Sequence, residues 1–337
     1  RSSTAGLRRE KPVPAALLPE AVESAGSIQA ALLAWFDAQQ VQLPWRQGRD
    51  AYAVLVSEFM LQQTQRERVV PKYREFMLRF PNLATLAAAS TADVIRAWAG
   101  LGYNSRALRL QQIARRLCAA GEPIPAGLDR LRDLPGVGDY TARAVSCFGY
   151  DQPVACVDTN VRRVLGRICS GLVEAREPAA TSLALAERML VRERAADWNA
   201  ALMDLGALIC RARTPACERC PVARWCTARP AFQEASDAPL RRVAEPPASY
   251  RAGGAGPRSH GSFAASDRYL RGRIVAVLRS LSDGVALPID DLAREATGMG
   301  LPPQTERVQT LVDRLVHEGL VVVVQRCSGE PAYQLPT

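Results

Sequence analysis

Four of the chain's nine cysteines fall within seventeen residues, Cys210, Cys217, Cys220 and Cys226, in the spacing Cys-x6-Cys-x2-Cys-x5-Cys. An odd count with one crowded loop is the distribution of a protein with a single metal site, not of a disulfide framework. Four thiolates in so short a loop can close tetrahedrally around zinc or hold the corners of a [4Fe–4S] cluster. The long first gap favours the cluster. Arg211, Arg213, Arg219 and Arg224 stand among the cysteines, so the loop reads as a rigid, phosphate-facing knuckle before it reads as an electron carrier.

The sequence around this knot is helical almost throughout. Apolar residues recur at helical spacing over Ile28–Ala38, Tyr52–Phe80 with a break at Pro71, Thr91–Ala99, Ser105–Ala120, Tyr140–Phe148, Asn160–Ile168, Pro178–Leu190 and Trp198–Ile209. No convincing strand interrupts them, and the expected fold class is all-α. Residues 1–26 carry Arg, Pro, Ser and Ala without a period and read as a mobile arm. Residues 228–266, rich in Pro, Gly and Ala, read as a linker. Beyond them come helical patterns over Tyr269–Leu281, Ile289–Thr297 and Pro303–Glu318. A strand over Leu320–Gln325, a polar turn and a short strand over Tyr333–Leu335 follow. That order suggests a small winged-helix-like α/β domain over 267–337.

Lys and Arg exceed Asp and Glu by 43 to 34, a formal charge of +9. A basic surface gains free energy by releasing the counterions of a polyanion, so nucleic acid is a more natural partner than a membrane. No apolar run reaches the ~18 residues of a membrane span, and no signal-peptide pattern is present. A cytoplasmic, nucleoid-associated monomer is expected, with no membrane partner. The chain begins at Arg1 and not Met, so the natural N-terminus is expected upstream. Only two histidines occur, His260 and His317, which makes chemistry through a histidine base an unpromising expectation.

Three short stretches bear on chemistry. In LPGVGDYTARA, Gly136 and Gly138 permit positive φ and, with Val137, leave peptide N–H groups uncovered at a helix start. Such groups can hold a DNA backbone phosphate without reading sequence, as in a helix-hairpin-helix. A glycine turn that merely joins two packed helices is the other reading. In AYAVLVSEFMLQQTQ, a 100° projection puts Glu58 among Val54, Leu55 and Leu61. A desolvated carboxyl there is raised in pKa and suits a general acid, or else it ion-pairs with an arginine in the core. Gln62, Gln63 and Gln65 follow, amides equally fit for solvent or base edges. In VACVDTNVRR, Asp158 stands at a helix mouth, where it can cap the helix or present a carboxylate.

Taken in order, SEFMLQQTQ, LGYNSRA, LPGVGDYTA, VDTNVRRV and the cysteine loop resemble the helix-hairpin-helix DNA glycosylases with an iron–sulfur loop. The similarity is greatest to the adenine DNA glycosylases of the MutY type, over about Leu43 to Cys226. The resemblance implies a glycosylase domain over 27–227. A six-helix barrel module (51–155) would carry the hairpin, and a module of 27–50 plus 156–227 would hold a [4Fe–4S] cluster on the four cysteines. It also implies a substrate, adenine opposite 8-oxoguanine or guanine, extruded from double-stranded DNA. Cutting an N-glycosidic bond needs a proton on the leaving base and a negative charge beneath the sugar cation. Glu58 would be the acid and Asp158 the anion, supported by Tyr140 and Asn160. Gln63 and Tyr103 would enter the gap in the duplex, and Gln62, Gly136, Val137, Gly138 and Arg162 would join in holding DNA.

Position 140 separates relatives: bifunctional, endonuclease III-like members carry a lysine there that attacks the sugar. Tyr140 implies base removal without efficient strand cleavage. Mismatch thymine or uracil glycosylases of the same superfamily are an alternative, although they should not need the acid at Glu58. A non-enzymatic regulator using its metal loop and winged helix to bind DNA is another. One departure stands out. The usual Nudix-like C-terminal domain and its Phe-Ser-His loop are missing, and Ser259-His260 lies in the linker. Adenine excision is therefore better supported than discrimination for oxidised guanine, and the role of the C-terminal unit is open.

Overall fold

A computed structural model describes residues 23–39, 41–173, 178–237, 266–298, 304–326 and 329–337. The expected arm up to residue 22 and linker residues 238–265, with Ser259-His260, lie outside them. The chain forms two compact units, each assembled from separate stretches of sequence. One comprises Arg1–Gln42 with Ala142–Pro246, the other Leu43–Thr141 with Pro247–Thr337. The divisions at 42/43 and 141/142 differ from the module limits of 50/51 and 155/156 expected from the sequence.

The first unit contains α1 (Ala25–Gln39), α9 (Thr159–Ser170), α10 (Ala179–Arg188), α11 (Ala195–Leu208) and α12 (Arg229–Asp237). α11 packs against both α1 and α9, and its Trp198, Ala201, Leu202 and Leu205 are buried. Gly206 lets α9 approach closely: a Cβ there would stand 2.6 Å from the Asn160 Cβ. The expected linker thus begins with helix, because Phe232 on α12 lies under the Arg167 guanidinium, 4.7 Å from ring centroid to Cζ.

The second unit holds α2 (Ala51–Leu61), α3 (Arg66–Arg79), α4 (Leu83–Ala88), α5 (Thr91–Ala97), α6 (Ser105–Ala120), α7 (Leu128–Arg132) and the start of α8 (Asp139–Ala144). Beyond Ala144, α8 widens into a π-turn, Val145–Gly149, which belongs to the first unit. Phe59, Phe76, Trp98, Leu110 and Ile113 are almost wholly buried, each contributing about 1.5–3 kcal/mol through removal of apolar area from water. The long helix expected over Tyr52–Phe80 does break, but at Gln62–Gln65, and Pro71 lies inside α3. Pro71 is exposed, so the carbonyl it leaves unbonded can turn to water. The helices α4 and α7, only six and five residues long, are too short to show a period.

The C-terminal stretch of this unit runs α13 (Asp267–Ser280), β1 (Leu287–Pro288), α14 (Ile289–Thr297), α15 (Thr305–His317), β2 (Val322–Gln325) and β3 (Pro331–Gln334). The strands form an antiparallel sheet in the order β1-β3-β2, with Val323 opposite Tyr333 and Leu287 also opposite Tyr333. The sequence pattern implied a two-stranded hairpin, and the two-residue β1 adds a third strand. Ile274, Val275, Leu292 and Val312 share one apolar cluster with Ala92 and Ile95 of α5 and Leu108 of α6. The main-chain N–H of Ala92 donates to the Pro336 carbonyl at 2.7 Å. No described helix is long and apolar enough to cross a membrane.

Candidate active site and cysteine loop

Glu58 sits on α2, which is buried on nearly all sides: Tyr52 and Val54 through Met60 are inside. The single apolar stripe projected from the sequence is therefore too narrow a picture, since Leu61 is only half-buried and Val56 and Met60 are as deep as Leu55. Within that run Glu58 keeps the greatest exposure, 8%, against 0% for Ser57 and 1% for Phe59. A carboxyl in this position is largely withdrawn from water. Asp50 anchors the helix by accepting a hydrogen bond from the Tyr52 N–H at 2.9 Å, and the Tyr52 hydroxyl donates to the Phe80 carbonyl at 2.7 Å.

Just beyond α2 the backbone is strained. Gln63 has φ 55° and Tyr103 φ 47°; with Asp151 they are the non-glycine residues of positive φ among those described. Such conformations cost energy and persist only where surrounding contacts enforce them. The enforcing group is Arg106, only 4% exposed. Its Nη1 donates to the carbonyls of Phe59 (2.8 Å), Met60 (3.0 Å) and Gln62, and its Nη2 to those of Leu101 (3.1 Å) and Gly102 (3.0 Å) and to Thr64 Oγ1 (3.2 Å). The carbonyls at the end of α2 are thereby taken, which is why the helix stops before Gln63. Burial lowers the Arg106 pKa to about 10, so it stays charged at neutral pH. Sequence reasoning gave Arg106 no role. The signal was a charged residue four positions before Leu110 and seven before Ile113, on the buried face of α6.

Between α7 and α8 the turn Leu134–Gly138 closes with the Val137 N–H donating to the Leu134 carbonyl at 3.1 Å. Gly136 has φ 79°, and a Cβ there would meet Arg109 Cδ at 2.7 Å. Gly138, by contrast, has no positive φ and nothing within 4 Å of a built Cβ. The expectation that both glycines supply unusual backbone is corrected: Gly136 supplies the bend and Gly138 leaves open space beside the helix start. Tyr140, on the first turn of α8, is half-buried.

In the other unit, Asp158 is both a cap and a held carboxylate. Its Oδ1 accepts from the Val161 N–H at 2.7 Å and its Oδ2 from Asn160 Nδ2 at 3.0 Å. Asn160 Oδ1 in turn accepts from Arg163 Nη2 at 2.8 Å, and Arg163 reaches the carbonyls of Gly206 (2.7 Å) and Cys210 (2.8 Å). A continuous chain of hydrogen bonds thus runs from Asp158 to the first cysteine of the loop. Arg163 was not singled out from the sequence, where it is one of two adjacent arginines. Its neighbour Arg162 is half-buried, and its Nε has no hydrogen-bond partner among the described residues.

The cysteine loop turns twice, through short 3-10 segments at Cys217–Arg219 and Ala223–Trp225. Cys210, Cys217, Cys220 and Cys226 all line one pocket, together with Val164, Leu205 and Ile209. Arg167, 2% exposed, donates to Cys210 Sγ at 3.3 Å and to the carbonyls of Arg211 (2.8 Å), Ala212 (2.7 Å) and Val173 (3.1 Å). Among the described residues no three Cys, His, Asp or Glu side chains stand close enough to share a single metal ion. Tetrahedral zinc needs four sulfurs at about 2.3 Å from one centre. Four thiols lining one space are the donor set that a [4Fe–4S] cluster would use, one thiolate to each iron. Burial pushes the Cys220 thiol up to about 12 and raises Cys217 and Cys226 as well. A cationic group in the cavity would favour all of them as thiolates.

Of the residues the sequence marked, Glu58, Gln62, Gln63, Tyr103, Gly136, Val137, Gly138 and Tyr140 belong to one unit. Asp158, Asn160, Arg162 and the four cysteines belong to the other.

Residues 56–187 match the HhH-GPD superfamily of base excision DNA repair proteins. The chain is 43% identical over 256 residues to the adenine DNA glycosylase of Mycobacterium tuberculosis (strain CDC 1551 / Oshkosh), covering 74% of this chain and 77% of that one. It is 38% identical over 296 residues to the adenine DNA glycosylase of Mycolicibacterium smegmatis, covering 86% and 91%. Among solved structures, a thermostable thymine-DNA glycosylase superposes with a TM-score of 0.58 at 28% identity, covering 62% of this chain and 98% of that one. The chain belongs to the adenine DNA glycosylase family of the HhH-GPD superfamily of base excision DNA repair proteins.

Proposed function

We propose that this protein is a monofunctional adenine DNA glycosylase of base excision repair, hydrolysing the N-glycosidic bond of adenine opposite 8-oxoguanine or guanine in duplex DNA. The observation that carries this reading is the held carboxylate of Asp158. One oxygen is fixed by a backbone N–H and the other by Asn160, so the anion faces its substrate with little freedom left to lose. Breaking the bond to C1′ leaves a sugar cation, which a fixed carboxylate at a helix start stabilises or transiently captures before water adds. The departing adenine needs a proton on a ring nitrogen, and Glu58, shielded yet still touched by solvent at 8% exposure, is the group to supply it. Tyr140 offers no amine, so no Schiff base forms and the strand remains intact after the base leaves.

The remaining assignments follow the same reading. The N–H groups of Gly136, Val137 and Gly138 take a backbone phosphate, with Gly138 giving it room. Gln63 and Tyr103 enter the strand, Gln62 and Arg162 add contacts, and the protein acts on DNA as a monomer in the nucleoid-containing cytoplasm. Cys210, Cys217, Cys220 and Cys226 would hold a [4Fe–4S] cluster, whose chemistry here is structural: it would tie the loop that carries Arg211, Arg213, Arg219 and Arg224. Support for the cluster comes from the pocket that the four cysteines line together.

The test is incubation with duplexes bearing A opposite 8-oxoguanine, A opposite guanine and T opposite guanine, with and without hot alkali. Alkali-dependent cleavage at adenine is expected. No alkali-labile site in any duplex would falsify the enzyme reading, cleavage only at thymine would replace adenine as substrate, and borohydride-trapped nicking would overturn the monofunctional assignment.

A further inference from the structure

The C-terminal stretch is docked on the helices that carry Tyr103. Arg96 of α5 donates to the carbonyls of Arg279 (3.4 Å) and Leu281 (3.0 Å) and pairs with Asp283, while Arg279 of α13 donates to Asn104 Oδ1 at 2.6 Å. Together with the shared apolar cluster, these bonds fix the last turn of α13 against α5 and Asn104. On the first turn of the same helix, the Arg268 guanidinium lies 4.9 Å from the centroid of the Tyr103 ring, a ring that Arg106 also faces at 5.6 Å. Tyr103 is 44% exposed and Arg268 is exposed.

The other arginines of α13 are committed elsewhere. Arg271 pairs with Glu318, and Arg273 donates to the carbonyls of Glu295 and Ala296. Arg268 has neither an ion pair nor a hydrogen bond among the described residues; its partner is the ring. A cation that no acid neutralises among the described residues, laid on an exposed aromatic, keeps its charge for an anion arriving at that ring.

Resting on the proposed DNA glycosylase reading, we infer that Arg268 is a DNA-contacting and positioning residue. It steadies the Tyr103 ring as that ring enters the strand and neutralises one backbone phosphate beside the gap. The C-terminal domain is then part of the strand-engaging edge and not an appendage.

The experiment measures binding of a fluorescein-labelled duplex carrying A opposite guanine, from about 50 to 200 mM salt, for the full chain, Arg268→Ala and Arg268→Lys. Each phosphate neutralised contributes about 0.9 to the slope of log K against log salt. Arg268→Ala should lose about one such increment, and Arg268→Lys should retain it. Single-turnover excision by Arg268→Lys should nevertheless fall several-fold, because an ammonium keeps the charge but not the flat stack on Tyr103. An unchanged slope in Arg268→Ala overturns the phosphate contact, and full activity of Arg268→Lys overturns the positioning role. If the parent chain excises no adenine, the function proposed above fails. The slope comparison still decides the phosphate contact, and quenching of tyrosine fluorescence by bound duplex, unequal between parent and Arg268→Lys, then decides the positioning.

Discussion

Each unit contains an irregular loop held by one buried arginine, and the two are completed in different ways. Arg106 meets six carbonyls and a threonine hydroxyl around the Gln63 and Tyr103 turns. The acceptors belong to the last turn of α2 and to the two loops themselves, so the strained backbone is balanced without any added group. Arg167 meets three carbonyls and a single sulfur, but it holds only the rim of a pocket whose Cys217, Cys220 and Cys226 thiols burial drives toward neutrality. The first loop is finished by folding. The second is shaped by folding around a pocket that the four cysteines line. On the proposed reading, the side chains that would enter the duplex, Gln63 and Tyr103, stand on the first, self-sufficient loop.

The largest effects should separate chemistry from both loops. Glu58→Gln and Asp158→Asn should each reduce single-turnover adenine excision by about 10³–10⁴-fold while leaving duplex affinity near that of the parent. Loss of binding in parallel would make either residue structural. Arg106→Ala comes next: it abandons several buried oxygens and should cost about 3–5 kcal/mol in urea unfolding, with visible cluster absorbance unaffected if the two loops are independent. Cys220→Ser should do the reverse, abolishing that absorbance and weakening DNA binding while the Tyr103 loop remains folded, as judged by hydrogen exchange at 101–106. Gly136→Ala forces both a left-handed alanine and a contact at 2.7 Å, and about 1–2 kcal/mol of stability should be lost. Gly138→Ala, facing open space, should change the melting temperature least, with an effect under about 0.5 kcal/mol. Its Cβ should still weaken binding to DNA if a phosphate approaches there.

Long amphipathic elements were legible in the sequence because their periods persist: Ser105–Ala120 and Ile289–Thr297 coincide with the observed helices. What escaped was governed by contacts distant in sequence. The stop before Gln63 depends on Arg106, forty-three positions away, and a local scan sees only the helix-breaking potential of Pro71. β1 is two residues long and exists because β3 pairs with it. At the site, residue types could nominate Glu58 and Asp158, but not the chain through Asn160 and Arg163 to Cys210, since nothing in an Arg-Arg pair reveals which guanidinium turns inward. The C-terminal stretch showed its helices and not its seat, because the complementary face on α5 and α6 is only a few small apolar residues, Ala92, Ile95 and Leu108.

That seat has a consequence for biosynthesis. The ribosome emits Ala92, Ile95 and Leu108 well before the residues that cover them, which begin at Leu270. At about 5–20 residues per second the delay is roughly ten to thirty seconds. For that interval a nascent apolar surface stands bare, and a chaperone that shields it would govern the yield of usable enzyme without altering its final stability.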